Sequence, residues 1–170
     1  MNDIEIYKLF TPEDCEYLLS FPTNFLPSGI TLNKENVFND YRISEDYSIN
    51  NNITLNDFLL SKLLQINIVS IPSVGYIKYT KGSKFKLHRD RYELTGDFSN
   101  RYKTLIIQLS DSTNYDGGEL IVEKNIMPKE IGSVILFNSK CLHEVTELTN
   151  GIRYSLCLFL TKNNFKLNSI

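Results

Sequence analysis

Ile4-Glu5-Ile6-Tyr7 alternates apolar and polar side chains, and that period of two predicts a first strand. Thr11-Pro12-Glu13-Asp14 comes next and reads as a helix start: Thr as N-cap, Pro at the first helical position, acids in the first turn. Cys15, Leu18 and Leu19 give this helix its apolar stripe. From residue 27 to 52 the periodicity fades. The stretch is rich in Asn, Ser and Asp, with Phe38, Tyr41 and Tyr47 scattered through it. Two readings stay open there: a functional loop or lid, or a surface meander with short strands. Phe58, Leu59, Leu63, Leu64 and Ile66 then predict a second helix over about residues 56–66.

After that helix the pattern changes. Short runs rich in Ile, Val, Tyr and Phe alternate with Gly, Asn, Ser and Asp turns, which predicts strands near 73–79, 84–88, 103–109, 118–122, 133–137, 141–145 and 153–160. Helices in front and many short strands behind predict a mainly β fold, a sandwich or jelly roll with N-terminal helices packed on one sheet. A double-stranded β-helix fits, although the pattern alone does not single it out. No repeat or long linker divides the chain, so one domain over 1–170 is expected, with helical support in 1–70 and a jelly-roll core in 71–162.

A chain of 170 residues can bury a real core. Its net charge of −2 leaves no global basic field for nucleic acid or an anionic membrane. The opening MNDIEIYKLF has no basic stretch leading into an apolar one, and no apolar run is long enough to span a bilayer. The three cysteines, Cys15, Cys141 and Cys157, are far apart and odd in number. Reduced thiols in a cytoplasmic protein are therefore expected.

The candidate chemistry is concentrated in His88-Arg89-Asp90, His143 and Arg153, and these are the only two histidines in the chain. On a strand, His88 and Asp90 face one side, and His143 must then arrive from a strand distant in sequence. Two imidazoles and one carboxylate on one face of an octahedron suit a non-heme Fe(II) oxygenase. Zinc more often takes a closed tetrahedral set or three ligands plus water. An isolated H-x-D also occurs by chance and in zinc and nuclease sites, so two surface or core histidines remain the alternative. Asn150-Gly151 is a hairpin signal that would bring Arg153 back beside the His143 strand. A guanidinium grips a carboxylate bidentately, and when buried it demands an anion. Ser155 shares its face and could donate a second hydrogen bond. The alternative for Arg153 is an exposed strand residue or a structural ion pair.

From about residue 75 to 160 the order of motifs resembles the Fe(II)/2-oxoglutarate-dependent dioxygenases, in their prolyl 4-hydroxylase-like branch. Tyr79-x-x-Gly82-x-x-Phe85-x-x-His88-x-Asp90 is similar to that family's first ligand strand. Arg101-x-x-Thr104-Leu105, Gly117-Gly118-Glu119-Leu120, Pro128-x-x-x-Gly132, Leu142-His143-Glu144-Val145 and Gly151-x-Arg153-Tyr154 follow in the family's order. The Thr-Pro-Glu-Asp-Cys opening of the first helix is also similar. The resemblance implies that His88, Asp90 and His143 bind Fe(II) and that Arg153 binds the C5 carboxylate of 2-oxoglutarate. Tyr79 is a candidate donor to the cosubstrate, or else a packed strand tyrosine. Fe(II) and 2-oxoglutarate are the implied cofactors, with ascorbate as an optional reductant. There are departures. Gln108 stands where some relatives have a tyrosine on the C5 carboxylate, though its amide can still donate. Cys157 stands where some have Thr, with Ser155 as a substitute, and Phe159 is the aromatic nearest to a missing tryptophan.

The implied activity is hydroxylation of a substrate, with a peptidyl proline in a peptide or protein as the first expectation, and release of succinate and CO2. An oxidative nucleic-acid demethylase on the same scaffold is one rival. The near-neutral charge and the lack of a second arginine near Arg153 argue against it. A non-catalytic, metal-containing jelly-roll binding module is another, and the intact ligand set argues against that. Residues 28–55 and 91–100 are the expected lids. The basic run Lys78, Lys81, Lys84, Lys86, Arg89 and Arg91 reads as the solvated face of an edge strand rather than a nucleic-acid rim. Cys141 reads as a packed thiol.

Overall fold

Helix α1 (Pro12–Leu19) starts where its cap predicts. The Thr11 hydroxyl accepts from the Asp14 N–H, and the Asp14 carboxylate accepts in return from the Thr11 N–H. This reciprocal box satisfies two donors that a helix start leaves unpaired. The computed structural model describes residues 3–32, 35–91 and 100–166. Helix α2 (Ile53–Leu63) begins earlier than its apolar stripe suggests, because Asn52 caps it by accepting from the Leu55 N–H at 2.9 Å. Leu55, Leu59 and Leu63, one per turn, are fully buried. Each contributes about 1.5–3 kcal/mol relative to an exposed position.

The strands are β1 (Ile4–Lys8), β2 (Leu26–Ser28), β3 (Ile30–Leu32), β4 (Glu35–Val37) and β5 (Arg42–Ile49) up to α2. After it come β6 (Val74–Tyr79), β7 (Lys84–His88), β8 (Lys103–Gln108), β9 (Tyr115–Gly117), β10 (Leu120–Val122) and β11 (Asn125–Ile126). The last are β12 (Ser133–Asn138), β13 (His143–Val145), β14 (Leu148–Gly151) and β15 (Arg153–Leu160). A single antiparallel ribbon runs β1-β12-β8-β15-β6-β5-β7-β13-β10-β11, with β2 added on β5. Strand β5 makes the corner: Glu45–Ile49 pairs with β6, while Arg42 and Ile43 pair with β7. The ribbon therefore curls on itself into the double-stranded β-helix.

Strand β15 shows how the curl divides the core. Leu156, Leu158 and Leu160 point outward into a cluster with Leu18 of α1 and the three α2 leucines. Cys157 and Phe159 point inward, into a second cluster with Tyr79, Ile135 and Phe137. The inward face also carries Arg153 and Ser155, both buried. Period-two alternation thus sends one set of side chains to support and the other to the site. No helix among the described residues is long and apolar enough to cross a membrane.

One open reading is decided and one expectation is corrected. Residues 27–52 hold four short strands, the second of the two readings, among them the corner strand β5. Arg42, Asp46 and Ser48 of β5 line the inner cavity, so the strand turns polar residues inward and carries no ordinary apolar signature. Asn150-Gly151 closes no hairpin. Gly151 lies in β14 opposite Tyr115, and β15 pairs with β6 and β8, not with β13. Gly151 is needed there for close approach: at its φ of +77°, a Cβ would lie 2.1 Å from the Asn114 carbonyl oxygen. Of the expected 91–100 lid, residues 92–99 lie outside the described residues.

Candidate metal centre

Pairing of β7 with β13 sets His88 opposite His143. The register slips between His143 and Val145, whose partners are His88 and Phe85. Two steps on β13 thus oppose three on β7, a bulge that brings Phe85 and His88 to one face. The Phe85 ring stacks on the His88 imidazole at 3.6 Å and 16°. Strand β7 ends at His88, and Asp90 reaches the same point from the bend that follows. The Ser139 carbonyl holds that bend by accepting from the N–H groups of both Asp90 and Arg91, at 3.0 and 2.9 Å.

The three side chains converge. Asp90 Oδ1 lies 3.7 Å from His88 Nε2, and Asp90 Oδ2 lies 3.3 Å from His143 Nε2. One ligand atom from each falls within 4.8 Å of the others, and all three residues are buried. Each imidazole turns Nδ1 to a carbonyl two residues back: His88 to Lys86 at 2.7 Å, His143 to Cys141 at 3.1 Å. A carbonyl can only accept, so Nδ1 carries the hydrogen and Nε2 presents its lone pair to the centre. This donor set, two imidazole nitrogens and one carboxylate with open positions beyond, fits Fe(II).

The electrostatics are those of a site waiting for a cation. Burial, with the neighbouring His143 adding to it, pulls His88 down to about 4, so its Nε2 is unprotonated near neutral pH. Burial also works against charge on His143, but the Asp90 carboxylate outweighs it and raises His143 above its ordinary value. Asp90 is itself held below its ordinary value: burial opposes this, and His143, His88 and the Thr104 hydroxyl overcome it. Metal binding at these nitrogens is therefore coupled to their deprotonation.

Thr104 was not singled out from the sequence as a site residue, although it stands in the Arg101-x-x-Thr104 motif. Its hydroxyl donates to Asp90 Oδ2 at 2.7 Å and lies 3.0 Å from the Ser139 hydroxyl. This contact orients the carboxylate. Thr104→Val is expected to weaken Mn(II) affinity by roughly 10- to 100-fold, with Thr104→Ser close to the parent. Metal titration followed by electron paramagnetic resonance checks this, and an unchanged Val variant would refute the role.

A cavity of about 140 Å³ joins the triad to Arg153. Arg153 is 1% exposed. Its Nη2 donates to Gln108 Oε1 at 2.9 Å, and its guanidinium lies 5.1 Å from the Tyr79 ring centre. Nε and Nη1 have no partner, and among the described residues no carboxylate pairs with Arg153. A buried cation left in that state is costly unless an anion completes it. Tyr79 and Ser155 line the cavity. Gln108 stands behind the arginine: Oε1 faces Arg153, and Nε2 donates to the Pro128 carbonyl at 3.2 Å. Arg153 can only donate, so the amide cannot be turned round. Sequence reasoning also missed the Arg42–Asp46 ion pair on the cavity wall, at 2.7 Å.

The sequence profile described as "2OG-Fe(II) oxygenase superfamily" matches residues 74–161, just over half of the chain and inclusive of the triad and Arg153. A PKHD-type hydroxylase of Caulobacter sp. (strain K31) is 36% identical over 92 residues, which is 49% of this chain and 40% of that relative. The chain thus matches less than half the length of that relative. A Pseudomonas putida prolyl-4-hydroxylase superposes with a TM-score of 0.70 at 16% identity, covering 94% of this chain and 93% of that one. The viral collagen prolyl hydroxylase of Paramecium Bursaria Chlorella virus-1, in a 2OG complex, gives 0.68 at 16% identity, covering 92% and 94%. The structures speak for the fold and the profile for descent: this chain belongs to the 2OG-Fe(II) oxygenase superfamily.

Proposed function

We propose that this protein is an Fe(II)- and 2-oxoglutarate-dependent dioxygenase that hydroxylates a prolyl residue of a peptide or protein, releasing succinate and CO2. The observation that carries this reading is Arg153, a buried guanidinium with two unpartnered nitrogens on the same cavity as the triad. The distal carboxylate of 2-oxoglutarate matches it in charge and geometry. When bound, iron and cosubstrate supply the oxidising chemistry, and the protein contributes placement and shielding.

The chain's own residues divide that labour. His88, Asp90 and His143 hold the metal through Nε2, a carboxylate oxygen and Nε2. Arg153 anchors the far end of the cosubstrate, Gln108 aims Arg153, and Tyr79 and Ser155 offer hydroxyls along the cavity. Phe85 and Phe137 pack against the two imidazoles and exclude water from their outer faces. The outer cluster shared by both helices and the sheet supports reading 1–170 as one domain. The prolyl substrate draws on the hydroxylase relatives and on a solved neighbour, a Trichoplax adhaerens prolyl hydroxylase in complex with a peptide fragment. Ion pairs of Lys78, Lys84 and Lys86 with Glu45, Glu147 and Asp40 neutralise much of the basic strand face, which weakens the nucleic-acid alternative.

The test is succinate release in the presence of Fe(II), 2-oxoglutarate and a library of proline-containing peptides, with mass spectrometry of the peptides. Peptide-stimulated succinate with one oxygen added at proline is the expected result. Stimulation by alkylated single-stranded DNA instead would select the demethylase, and no turnover under any condition would select the binding module.

A further inference from the structure

Gly75 sits inside the central strand β6, with Cys157 of β15 on one side and Ser48 of β5 on the other. A glycine there packs nothing and gives up more backbone freedom on folding than any other residue. Each of the other described glycines has a local reason. Either its φ is positive or, as at Gly29, a backbone oxygen stands too close for a Cβ (2.5 Å, from Val37). Gly75 has neither. Its φ lies outside the left-handed region, and the nearest atom to an added Cβ would be the Cys157 carbonyl oxygen at 3.5 Å, an ordinary contact. The sheet itself would accept a side chain at this position. What that side chain would fill is the cavity, because Gly75 forms part of its wall with Ser48, Ile77, Cys157 and Phe159. Ser48 is exposed, so the row Ser48-Gly75-Cys157 leads in from the mouth. The triad and the buried Arg153 line the same cavity. Bare backbone in the wall of such a cavity marks the close approach of a ligand.

We infer that Gly75 determines specificity: the residue to be hydroxylated enters past Ser48 and lies against the Gly75 backbone. The surroundings define its chemistry. Ile77, Cys157 and Phe159 are apolar, the Ser48 hydroxyl is neutral, and the nearby Asp46 carboxylate is already matched by Arg42 at 2.7 Å. A buried charge with no partner there would be costly. The group received is therefore compact and uncharged, which suits a prolyl ring and rejects a lysyl ammonium. The inference rests on the function proposed above and narrows the substrate of that same site.

The experiment sets Gly75→Ala and Gly75→Val beside the parent. It measures thermal melts, calorimetric affinity of the Mn(II)-loaded protein for 2-oxoglutarate, and kcat/KM of succinate release. The peptides are the proline peptide that stimulates the parent most and the same peptide with lysine at that proline. Tm should hold or rise in both variants, since a strand interior prefers either residue to glycine. Affinity for 2-oxoglutarate should stay the same. Gly75→Val is expected to cut kcat/KM for the proline peptide by roughly 10-fold or more, mainly through KM, as overfilling a packed space does. Gly75→Ala should fall between, and the lysine peptide should not stimulate the parent. Undiminished kcat/KM in Gly75→Val would overturn the inference while leaving the prolyl reading in place. A parallel loss of 2-oxoglutarate affinity would overturn it too, since the space would then serve the cosubstrate. A lower Tm in Gly75→Ala would make the glycine structural, and stimulation by the lysine peptide would refute the uncharged target. A parent that no proline peptide stimulates would overturn the prolyl reading itself, and this inference with it.

Discussion

Arg153→Met is expected to leave the ligand-free protein as stable as the parent or more so, while nearly abolishing its affinity for 2-oxoglutarate. The two effects have one cause. Replacing a buried, incompletely paired charge by an apolar side chain of similar size is often stabilising by about 1–4 kcal/mol. Here the loss of the Gln108 contact offsets part of that, because it leaves one buried acceptor unmatched at a cost of about 1–3 kcal/mol. The net change runs from about −2 to +3 kcal/mol with its centre about 0.5 kcal/mol on the stabilising side, and each kcal/mol moves Tm by roughly 2–4 °C in a chain of this size. Binding moves the other way. Removing one partner of a buried charge pair costs about 2–5 kcal/mol, or roughly 30-fold to several thousand-fold in Kd. Thermal melts without ligand, set beside calorimetric titrations, check both signs. A parallel fall in Tm and affinity would show that Arg153 is mainly structural.

Asp90→Asn and His88→Ala are expected to reduce metal binding and 2-oxoglutarate turnover to background. Asp90→Asn is the cleaner of the two. It keeps the shape of the side chain and an acceptor for the Thr104 hydroxyl, but removes the negative charge that draws the cation and raises His143. His88→Ala takes away one of only two imidazoles and the surface on which Phe85 stacks. No other group of three metal-ligating side chains exists among the described residues to take over. Metal content after dialysis and succinate yield are the two readouts. Parent-like turnover in either variant would remove the triad from the mechanism.

The triad was legible in the sequence because chemistry and scarcity coincide: two histidines, one H-x-D, and an arginine ten positions on. The bounds of β7 and β15 were legible too, since both are unbroken runs of residues suited to strands. What escaped has physical reasons. Strand β5 stays undecided between loop and strand in the sequence because its cavity face is polar. Asn150-Gly151 reads as a hairpin because positive φ serves a close approach to Asn114 as well as it serves a turn. Phe85 and His88 are three apart, and only the bulge puts them in contact. The direction of the Gln108 amide depends on Pro128, twenty residues away.

The most direct test is an anaerobic titration of the metal-free protein with Fe(II) in the presence of 2-oxoglutarate, watched for a weak visible charge-transfer band. The band should grow to one equivalent of iron, require 2-oxoglutarate, and be absent in Asp90→Asn. A band of undiminished strength in Asp90→Asn, or none in the parent, would contradict the convergence of His88, Asp90 and His143 on a single ion.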